Sequence, residues 1–295
     1  MKRFTALLLT MLLTLSVLPA LGQDSWGTDP LCFDYDPADT KLYDDHDHLK
    51  IAVKRVDESP KRVYFICDIQ VRSPQVLTTA FFNEKNVKKT AVLEKIAKAN
   101  DAVLAINCDF CGDHDSGIII RNGKKYRATH TSKLDILIVD KNGDMRVHID
   151  PIKTDAEAEA IAGQLMDEGV LQTMSFGPAL VDNGQALSLD KKKHVISTRS
   201  TQLEPRTGIG QIGPLHYVVI VVEGRRDGYS KGSSLQDFQQ LFLNCGARVA
   251  INLDGGGSTK LYGSPSELWF DGKNSEIINR PTSPSRQISD ALIFK

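Results

Sequence analysis

The pattern AIN-x-D occurs twice in this chain, as AINCD at residues 105–109 and as AINLD at residues 250–254. Each copy ends an apolar run typical of a buried β-strand, and each run follows a segment whose apolar residues have helical spacing. Two similar helix-strand units in one sheet would bring both strand ends to one edge, where α/β folds place ligands. We therefore expect the two Asn-x-Asp ends to form one shared site. Chance repetition of a short apolar strand is the alternative.

Runs of β-like sequence joined by tight turns surround the two units. The Asn-Gly pairs at 122–123 and 142–143 favour hairpin turns, and HYVVIVVEG at 216–224 is apolar throughout, as in a central strand covered on both faces. Capping signals predict helices that begin after Thr154 and Ser234. Hairpins and helices do not alternate strictly, so the sequence predicts an α+β fold with a mixed β-sheet core and packed helices.

The N-terminal 22 residues have the features of a signal peptide. Two basic residues precede an uncharged apolar run that ends near Pro19, and Ala20 and Gly22 have the small side chains that signal peptidase requires. An uncleaved membrane anchor is the alternative, although the run is short for a membrane span. We expect a secreted protein, extracellular or in the cell envelope. Without residues 1–22 it is expected to have no stable membrane insertion, and 23–295 is expected to form one domain.

The charge balance of the expected mature chain excludes two classes of partner. Removal of the signal peptide leaves 34 basic and 37 acidic residues, a net charge of −3. This balance provides no general attraction to nucleic acid or to an anionic membrane. We expect neither as a partner, and we expect no cofactor. The sequence does not define an oligomeric state.

The chain contains five cysteines: Cys32, Cys67, Cys108, Cys111 and Cys245. The pair Cys108-x-x-Cys111 ends a predicted strand, whereas thioredoxin-like motifs open a helix. Three interpretations stay open for this pair: structural side chains (free or bridged), a redox pair, or half of a metal site near His114. Nothing else completes a metal set at motif spacing, so no metal ligand is predicted.

The loop after the second repeat, NLDGGGSTK at 252–260, carries the clearest chemical signal. Three consecutive glycines allow close approach of a ligand, and they leave main-chain N–H groups available to bind an anion. A tight structural turn is the alternative, but it would not require three glycines. The loop is not a Walker motif because its lysine follows the hydroxyl residues. The residues expected to bind an anion here are Gly255, Gly256, Gly257, Ser258 and Thr259.

Arginines at other predicted strand ends extend the candidate site. Arg206 and Thr207 precede a long strand run, Arg225 follows the same run, and Arg286 lies near the C-terminus. The planar guanidinium suits phosphate or carboxylate recognition, whereas a surface position is the alternative for any single arginine. We expect these four residues to bind substrate.

Three carboxylates could perform the chemistry. Asp109, Glu223 and Asp254 are candidates for general acid, general base or nucleophile, as in glycoside hydrolases. Asn107 and Asn252 would orient them or hold substrate hydroxyls. A Ser-His-Asp mechanism has no support because the chain lacks a G-x-S-x-G motif.

In this order, the motifs resemble the phosphodiester glycosidase family over residues 105–295. The matching segments are AINCDF, SGIIIRNGKKYR, FGPALVDNG, PRTGIG, VVEGRRDGYSKGSSLQDF, AINLDGGGSTKLY and RQISDAL. The resemblance implies hydrolysis of a sugar-1-phosphodiester at the glycosidic C–O bond, giving free sugar and a phosphomonoester. It implies that phosphate binds near Arg206, Arg225 and the glycine loop, with Asp254 and Asp109 facing the sugar.

Three positions depart from the family pattern. Cys108 stands where a small residue is usual, an aromatic residue is frequent near the position of Cys111, and Glu223 stands where aspartate is usual. A longer acid in a tight site would shift or weaken catalysis. These departures allow an alternative function, that of a catalytically weak or inactive glycan- or phosphoglycan-binding protein of the cell envelope.

Overall fold

The computed structural model describes residues 30–189, 201–270 and 275–295. The expected signal peptide lies outside these residues. The described chain is mostly β-sheet with a few helices, which confirms the predicted α+β class. The helices are α1 (Leu93–Lys98), α2 (Asp155–Asp167) and α3 (Leu235–Asn244). No helix in the described ranges is both long and apolar enough to cross a membrane.

The strands are short, and they are numbered here in chain order. The first nine are β1 (Thr40–Asp44), β2 (Leu49–Glu58), β3 (Arg62–Val71), β4 (Leu77–Phe81), β5 (Leu104–Asn107), β6 (Gly117–Arg121), β7 (Lys124–Thr129), β8 (Asp135–Val139) and β9 (Met145–His148). The others are β10 (Gln172–Phe176), β11 (Ala179–Asp182), β12 (Gln185–Ala186), β13 (Arg206–Gly213), β14 (His216–Val222), β15 (Val249–Asn252), β16 (Leu261–Gly263) and β17 (Asp290–Phe294).

Two antiparallel sheets form the centre of the described structure. The larger has the strand order β1-β2-β3-β14-β13-β15-β11-β12, and the smaller has the order β16-β5-β17-β4. Apolar side chains from both sheets form one core between them. Helix α3 packs on the other face of the larger sheet, and α1 packs on the other face of the smaller one. The layers are therefore helix, sheet, sheet and helix.

Strand β14 shows why the larger sheet is buried on both faces. Its side chains at Tyr217, Val219 and Val221 enter the core between the sheets, whereas the alternate residues pack toward α3. All seven residues of the strand are buried, as the uniformly apolar sequence predicts.

Local turn and cap signals also form as predicted. Asn122 and Gly123 have φ values of 51° and 75° in the turn that joins β6 to β7. The Thr154 hydroxyl accepts a hydrogen bond from the Glu157 amide at the start of α2 (3.1 Å), and Ser234 caps α3 through its side chain. These bonds satisfy amides that a helix start would otherwise leave unpaired.

The two AIN strands lie in different sheets, so the expectation that they share one sheet is wrong. Strand β5 belongs to the smaller sheet and β15 to the larger. Their ends nevertheless meet because the sheets pack face to face. The Asp254 amide donates to the Cys108 carbonyl (3.2 Å), and Asn107 Nδ2 donates to the Asp254 carbonyl (2.5 Å). The two ends are thus joined across the core.

Candidate active site

A polar cavity of about 660 Å³ opens at the end of β15. It lies where the glycine loop, the start of β13, the turn after β14 and the 283–286 segment converge. Its lining residues are Phe110, Phe176, Glu204, Pro205, Arg206, Arg225, Asn252, Leu253, Asp254, Gly255, Gly256, Gly257, Ser258, Ser283 and Arg286. Nine of these were predicted site residues, so the structure brings most of the candidate site together.

Asp254 is one of two half-buried carboxylates at this cavity, with Glu204, which pairs with Arg225. Asp254 Oδ1 accepts from the Gly255 amide (2.9 Å), and the Ser258 hydroxyl also hydrogen-bonds the carboxylate. Burial raises the pKa of Asp254 to about 6, although Ser258, the Gly255 amide and the Arg286 guanidinium act in the opposite direction. A carboxyl group with this pKa exchanges protons readily near neutral pH, which suits acid-base or nucleophilic work.

Asn252 presents a hydrogen-bond acceptor beside this carboxylate. Its Nδ2 donates to the Gly177 carbonyl (2.9 Å), which fixes the orientation of the amide. Its Oδ1 is buried and has no hydrogen-bond partner among the described residues. An unpaired buried acceptor that lines a cavity is costly unless a ligand or water satisfies it. Asn252 can therefore accept a hydrogen bond from a substrate hydroxyl.

Three arginines surround the same cavity. Arg286 Nε donates to Ser258 Oγ (3.3 Å), and Arg225 Nε donates to Glu204 Oε2 (2.5 Å). Arg206 is buried and donates from Nε to the Ser233 carbonyl (3.1 Å). Arginines placed around a cavity in this way can neutralise a bound phosphate.

The glycine loop lines one wall of the cavity, but most of its backbone amides are bonded to protein groups and are not free to bind a ligand. A Cβ at Gly255 would lie 2.7 Å from the Pro205 carbonyl oxygen, and Gly256 has φ +59°. Glycine is therefore required at both positions by backbone packing. The amides of Gly255, Gly256 and Ser258 make bonds within the site wall. The expected row of free N–H groups is therefore wrong for these three residues, and the arginines are the cationic groups at the cavity.

Asp109, predicted to be catalytic, does not line the cavity. Its side chain is fully buried and accepts from Arg121 Nη2 (2.7 Å) and from the Ser175 amide (2.7 Å). Arg121 also pairs with Asp290 (2.9 Å). Burial alone would raise the pKa of Asp109, but the Arg121 guanidinium and the Ser175 amide hold it below its usual value. Asp109 thus lies in a buried ion pair outside the cavity lining, a geometry that supports a structural role.

Glu223, the second predicted carboxylate outside the cavity, supports one of its walls. Its Oε1 accepts from the Arg280 amide (2.6 Å), and burial raises its pKa. The neighbouring Arg226 donates to the Pro281 carbonyl (2.9 Å). Both contacts hold the segment that leads to Ser283 at the cavity. Glu223 Oε1 therefore supports a wall of the cavity, and the residue is not part of the cavity lining.

Three further predicted residues stabilise the strand ends and do not line the cavity. Asn107 Oδ1 accepts from the Thr207 hydroxyl (3.0 Å) and from the Lys260 amide (3.2 Å). Thr259 is buried, and its carbonyl accepts from Asn279 Nδ2 (3.2 Å). Asn107, Thr207 and Thr259 are thus placed to hold the loop, and their predicted contact with substrate has no support in this geometry.

The Cys108/Cys111 pair lies in the protein interior. The two side chains are 2% and 1% exposed, and burial raises the pKa of both thiols. Cys108 lies with Asp109 and Asp290 in a group close enough to hold a metal ion. Arg121 already donates to both carboxylates there, so its guanidinium supplies the positive charge. The structure thus favours the structural interpretation of this pair.

Sequence reasoning missed the two aromatic residues of the site. Phe110 and Phe176 line the polar cavity and also a second cavity of about 410 Å³. Phe110 has φ +62°, a strained conformation for a bulky residue, and the Arg286 guanidinium lies 5.8 Å from its ring centroid. Phe110 lies three residues after the end of β5, and Phe176 is the last residue of β10. Both belong to motif segments, and that position was the available signal. The second cavity also contains His114, His130 and Lys133.

The comparison with family models identifies one match. A model described as phosphodiester glycosidase (NAGPA) matches residues 100–295. Among curated proteins, the SPbeta prophage-derived uncharacterized protein YomE of Bacillus subtilis (strain 168) is 29% identical over 191 residues. The match covers 62% of this chain and 27% of that protein, so the chain spans about a quarter of the relative's length.

Solved structures share the fold. The zebrafish N-acetylglucosamine-1-phosphodiester alpha-N-acetylglucosaminidase catalytic domain, auto-inhibited by its pro-peptide, has a TM-score of 0.61 at 18% identity, covering 90% of this chain and 85% of that chain. A hypothetical protein from Synechocystis has a TM-score of 0.54 at 17% identity, with coverages of 88% and 64%. At these identities the comparison establishes the fold alone.

Proposed function

This chain belongs to the phosphodiester glycosidase family, and on that premise we propose that it hydrolyses the glycosidic C–O bond of a sugar-1-phosphodiester. The products are a free sugar and a phosphomonoester. One observation carries the proposal: Asp254, with a pKa raised to about 6, shares a cavity with three arginines. A carboxylate for the sugar and cations for the phosphate are what this reaction requires.

The leaving group determines where the site stabilises charge. A phosphodiester oxygen leaves as a stable anion, so it needs little protonation, and Arg206, Arg225 and Arg286 neutralise the negative charge that develops on it. Positive charge develops at the anomeric carbon. The ionised carboxylate of Asp254 stabilises that charge, and Asn252 Oδ1 accepts a hydrogen bond from a sugar hydroxyl.

The bond changes balance without a cofactor. The oxygen of a water molecule bonds to the anomeric carbon as the bond between that carbon and the phosphate oxygen breaks. The electron pair of the broken bond stays on the phosphate, and Asp254 accepts the proton that the water loses. Glu204 holds Arg225 by its 2.5 Å hydrogen bond and keeps that guanidinium directed at the leaving group.

The second cavity is placed to receive the alcohol half of the diester. It adjoins the first through Phe110 and Phe176, so a substrate whose phosphate lies at the arginines can extend past these rings.

We also propose that the protein is exported and that residues 1–22 are removed. N-terminal sequencing of the secreted protein would find Gln23 as the first residue, whereas an intact Met1 would contradict export by cleavage.

Hydrolysis of a panel of glycosyl-1-phosphodiesters in ¹⁸O-labelled water tests the reaction. The panel includes an α-N-acetylglucosaminyl diester. Cleavage at the glycosidic bond places ¹⁸O on the sugar, whereas cleavage at phosphorus places it on the phosphomonoester. We expect label on the sugar only, with turnover lost in Asp254→Asn and kept in Asp150→Asn, a control at an exposed carboxylate.

Two results would contradict the proposal. Label on the phosphate would show attack at phosphorus. Absence of turnover on every diester, with binding of the same diesters retained, would establish a binding protein of the same family.

A further inference from the structure

Cys32 and Cys245 lie in contact, although most of the described chain separates them in sequence. Cys245 is the C-terminal cap residue of α3 and is buried in the core between this helix and the larger sheet. Cys32 precedes β1 and packs against the same core from its edge. The two thiol groups hydrogen-bond each other. The fold therefore brings together two thiols that lie 213 residues apart in sequence (245 − 32).

Backbone contacts hold the Cys32 segment in this position. The Cys32 amide donates to Asp68 Oδ2 of β3 (2.8 Å), and Asp68 is itself fixed by His216 of β14 (2.9 Å). Two residues later, the Asp34 carbonyl accepts from Lys54 Nζ (2.7 Å). Cys32 thus sits beside the sheet through contacts that do not involve Cys245, and the proximity of the two thiols follows from the fold.

We propose that Cys32 and Cys245 form a disulfide bond in the mature protein. The bond forms by exchange with a disulfide oxidant, either a small disulfide or an oxidised protein dithiol. One cysteine thiolate attacks the oxidant and releases one thiol, and the second cysteine displaces the other. Two protein thiols become one disulfide, and the oxidant is reduced to two thiols.

The other cysteines are poorly placed for this reaction. Cys67, Cys108 and Cys111 are almost completely buried, whereas the proposed pair joins the buried Cys245 to Cys32, which is half-buried. The pKa of the Cys32 thiol is raised, first by its hydrogen bond to Cys245 and to a smaller extent by burial. Exchange is therefore slow in the folded protein, and the bond forms while the chain folds.

The disulfide would anchor the first described segment to the end of α3. That segment lies before β1 at the edge of the larger sheet, where few strands restrain it. A bridge that closes so long a loop restricts the unfolded chain strongly and stabilises the folded state. None of the residues that line the polar cavity lies in this contact, so the inference is independent of the proposed reaction.

Peptide mapping after refolding tests the proposal. The reduced, unfolded chain is refolded with reduced and oxidised glutathione, and remaining thiols are alkylated before proteolysis and mass spectrometry. We expect three alkylated cysteines and one linked peptide pair, Cys32 with Cys245. Reduction should then lower Tm by about 5–10 °C. Neither Cys32→Ser nor Cys245→Ser should show this difference.

Cys67→Ala serves as the control because it removes a buried thiol outside the pair. It should retain the linked peptide and the Tm difference between oxidised and reduced protein. Five alkylated cysteines after refolding would overturn the proposal, and so would a bridge between any other two cysteines. A linked Cys32–Cys245 peptide without effect on Tm would confirm the bond and contradict its stabilising role.

Discussion

The strand end at Asp109 is closed by a buried guanidinium, whereas the strand end at Asp254 opens onto a polar cavity. Both follow the same AIN sequence, and the two ends are hydrogen-bonded to each other across the core. Arg121 occupies the space beside Asp109 and is 2% exposed. Around Asp254, the arginines lie at the cavity wall, and the glycine loop leaves space for a ligand. The AIN-x-D motif therefore specifies a strand end. The residues packed around it determine whether its aspartate stabilises the fold or takes part in the proposed reaction.

The asparagines differ in the same way. Both oxygen and nitrogen of the Asn107 amide are engaged with protein groups, whereas Asn252 keeps a buried oxygen without a partner among the described residues. A satisfied amide stabilises the fold, and an unsatisfied one at a cavity is available for a ligand.

Matched asparagine substitutions at the two aspartates should have the largest effects. Asp254→Asn is expected to lower kcat on a hydrolysed diester by about 10³-fold or more, since it removes the carboxylate at the anomeric carbon. Asp109→Asn leaves the buried Arg121 with one carboxylate and is expected to lower the free energy of unfolding by about 3 kcal/mol. Kinetics and urea unfolding measured on both variants separate the two roles.

The assignment of a structural role to Asp109 and a catalytic role to Asp254 fails if the two variants behave in the opposite way. An Asp109→Asn protein that is as stable as wild type but inactive would make the closed end catalytic. An active Asp254→Asn protein would remove the open end from the reaction.

Arg286→Ala should have the next largest effect. Loss of this exposed guanidinium at the cavity is expected to reduce kcat/KM by about 100-fold, or about 2.7 kcal/mol, with little change in Tm. Arg146→Ala is the control, since Arg146 is also exposed and pairs with Glu168 on the surface, away from the cavity lining. Equal losses of kcat/KM in the two variants would show that overall charge, and not a phosphate contact, explains the effect.

Alanine substitutions at Asn252 and Asn107 test the difference between the two asparagine amides. Asn252→Ala is expected to raise KM about tenfold, or about 1.4 kcal/mol, because a substrate hydroxyl loses its acceptor. Asn107→Ala breaks the bonds between the strand ends and should lower the free energy of unfolding by about 1–2 kcal/mol with a smaller change in KM. Steady-state kinetics and denaturant unfolding of both variants would show whether Asn252 affects mainly KM and Asn107 mainly stability. A KM change confined to Asn107→Ala would contradict this difference.

The pH dependence provides the smallest expected effect. The pKa of Asp254 is raised from 3.8 to about 6, so kcat/KM should fall as pH decreases through about 6. For stability the sign is opposite, because the folded state binds this proton more tightly than the unfolded chain. Ionisation of Asp254 therefore costs stability as pH rises from about 4 to 6.

Asp254→Asn removes that cost and should exceed wild type in free energy of unfolding by about 1 kcal/mol at pH 8. The two proteins should be equally stable near pH 2.5, where the wild-type carboxyl is protonated in both states. Urea unfolding at the two pH values measures the difference. A wild-type protein more stable than Asp254→Asn at pH 8 would indicate an ordinary or lowered pKa.

The sequence predicts the local elements of this fold better than their assembly. Hairpins at Asn122-Gly123 and caps at Thr154 and Ser234 depend on adjacent residues, so their signals are complete in the sequence. The placement of β5 and β15 in separate sheets depends on pairing with distant strands. No local pattern distinguishes a strand in the smaller sheet from one in the larger.

The candidate site shows the same limit. Asp254, Asn252 and the arginines were predicted because residues at strand ends converge in most sheet folds. Arg121 follows an apolar strand and precedes an Asn-Gly turn, and nothing local indicates that it turns inward to neutralise Asp109. The contacts that close the strand end at Asp109 and open the strand end at Asp254 come from segments distant in sequence. The difference between the two ends could therefore be seen only in the structure.

The most direct test of this difference is a crystal structure of the wild-type protein with a non-hydrolysable glycosyl phosphonate. We expect the phosphonate oxygens to contact Arg286 and Arg225, the sugar ring to lie beside Asp254 and Asn252, and Asp109 to stay paired with Arg121. A phosphonate bound away from these arginines, or a sugar ring against Asp109 with Arg121 displaced, would contradict the proposed roles of the two strand ends.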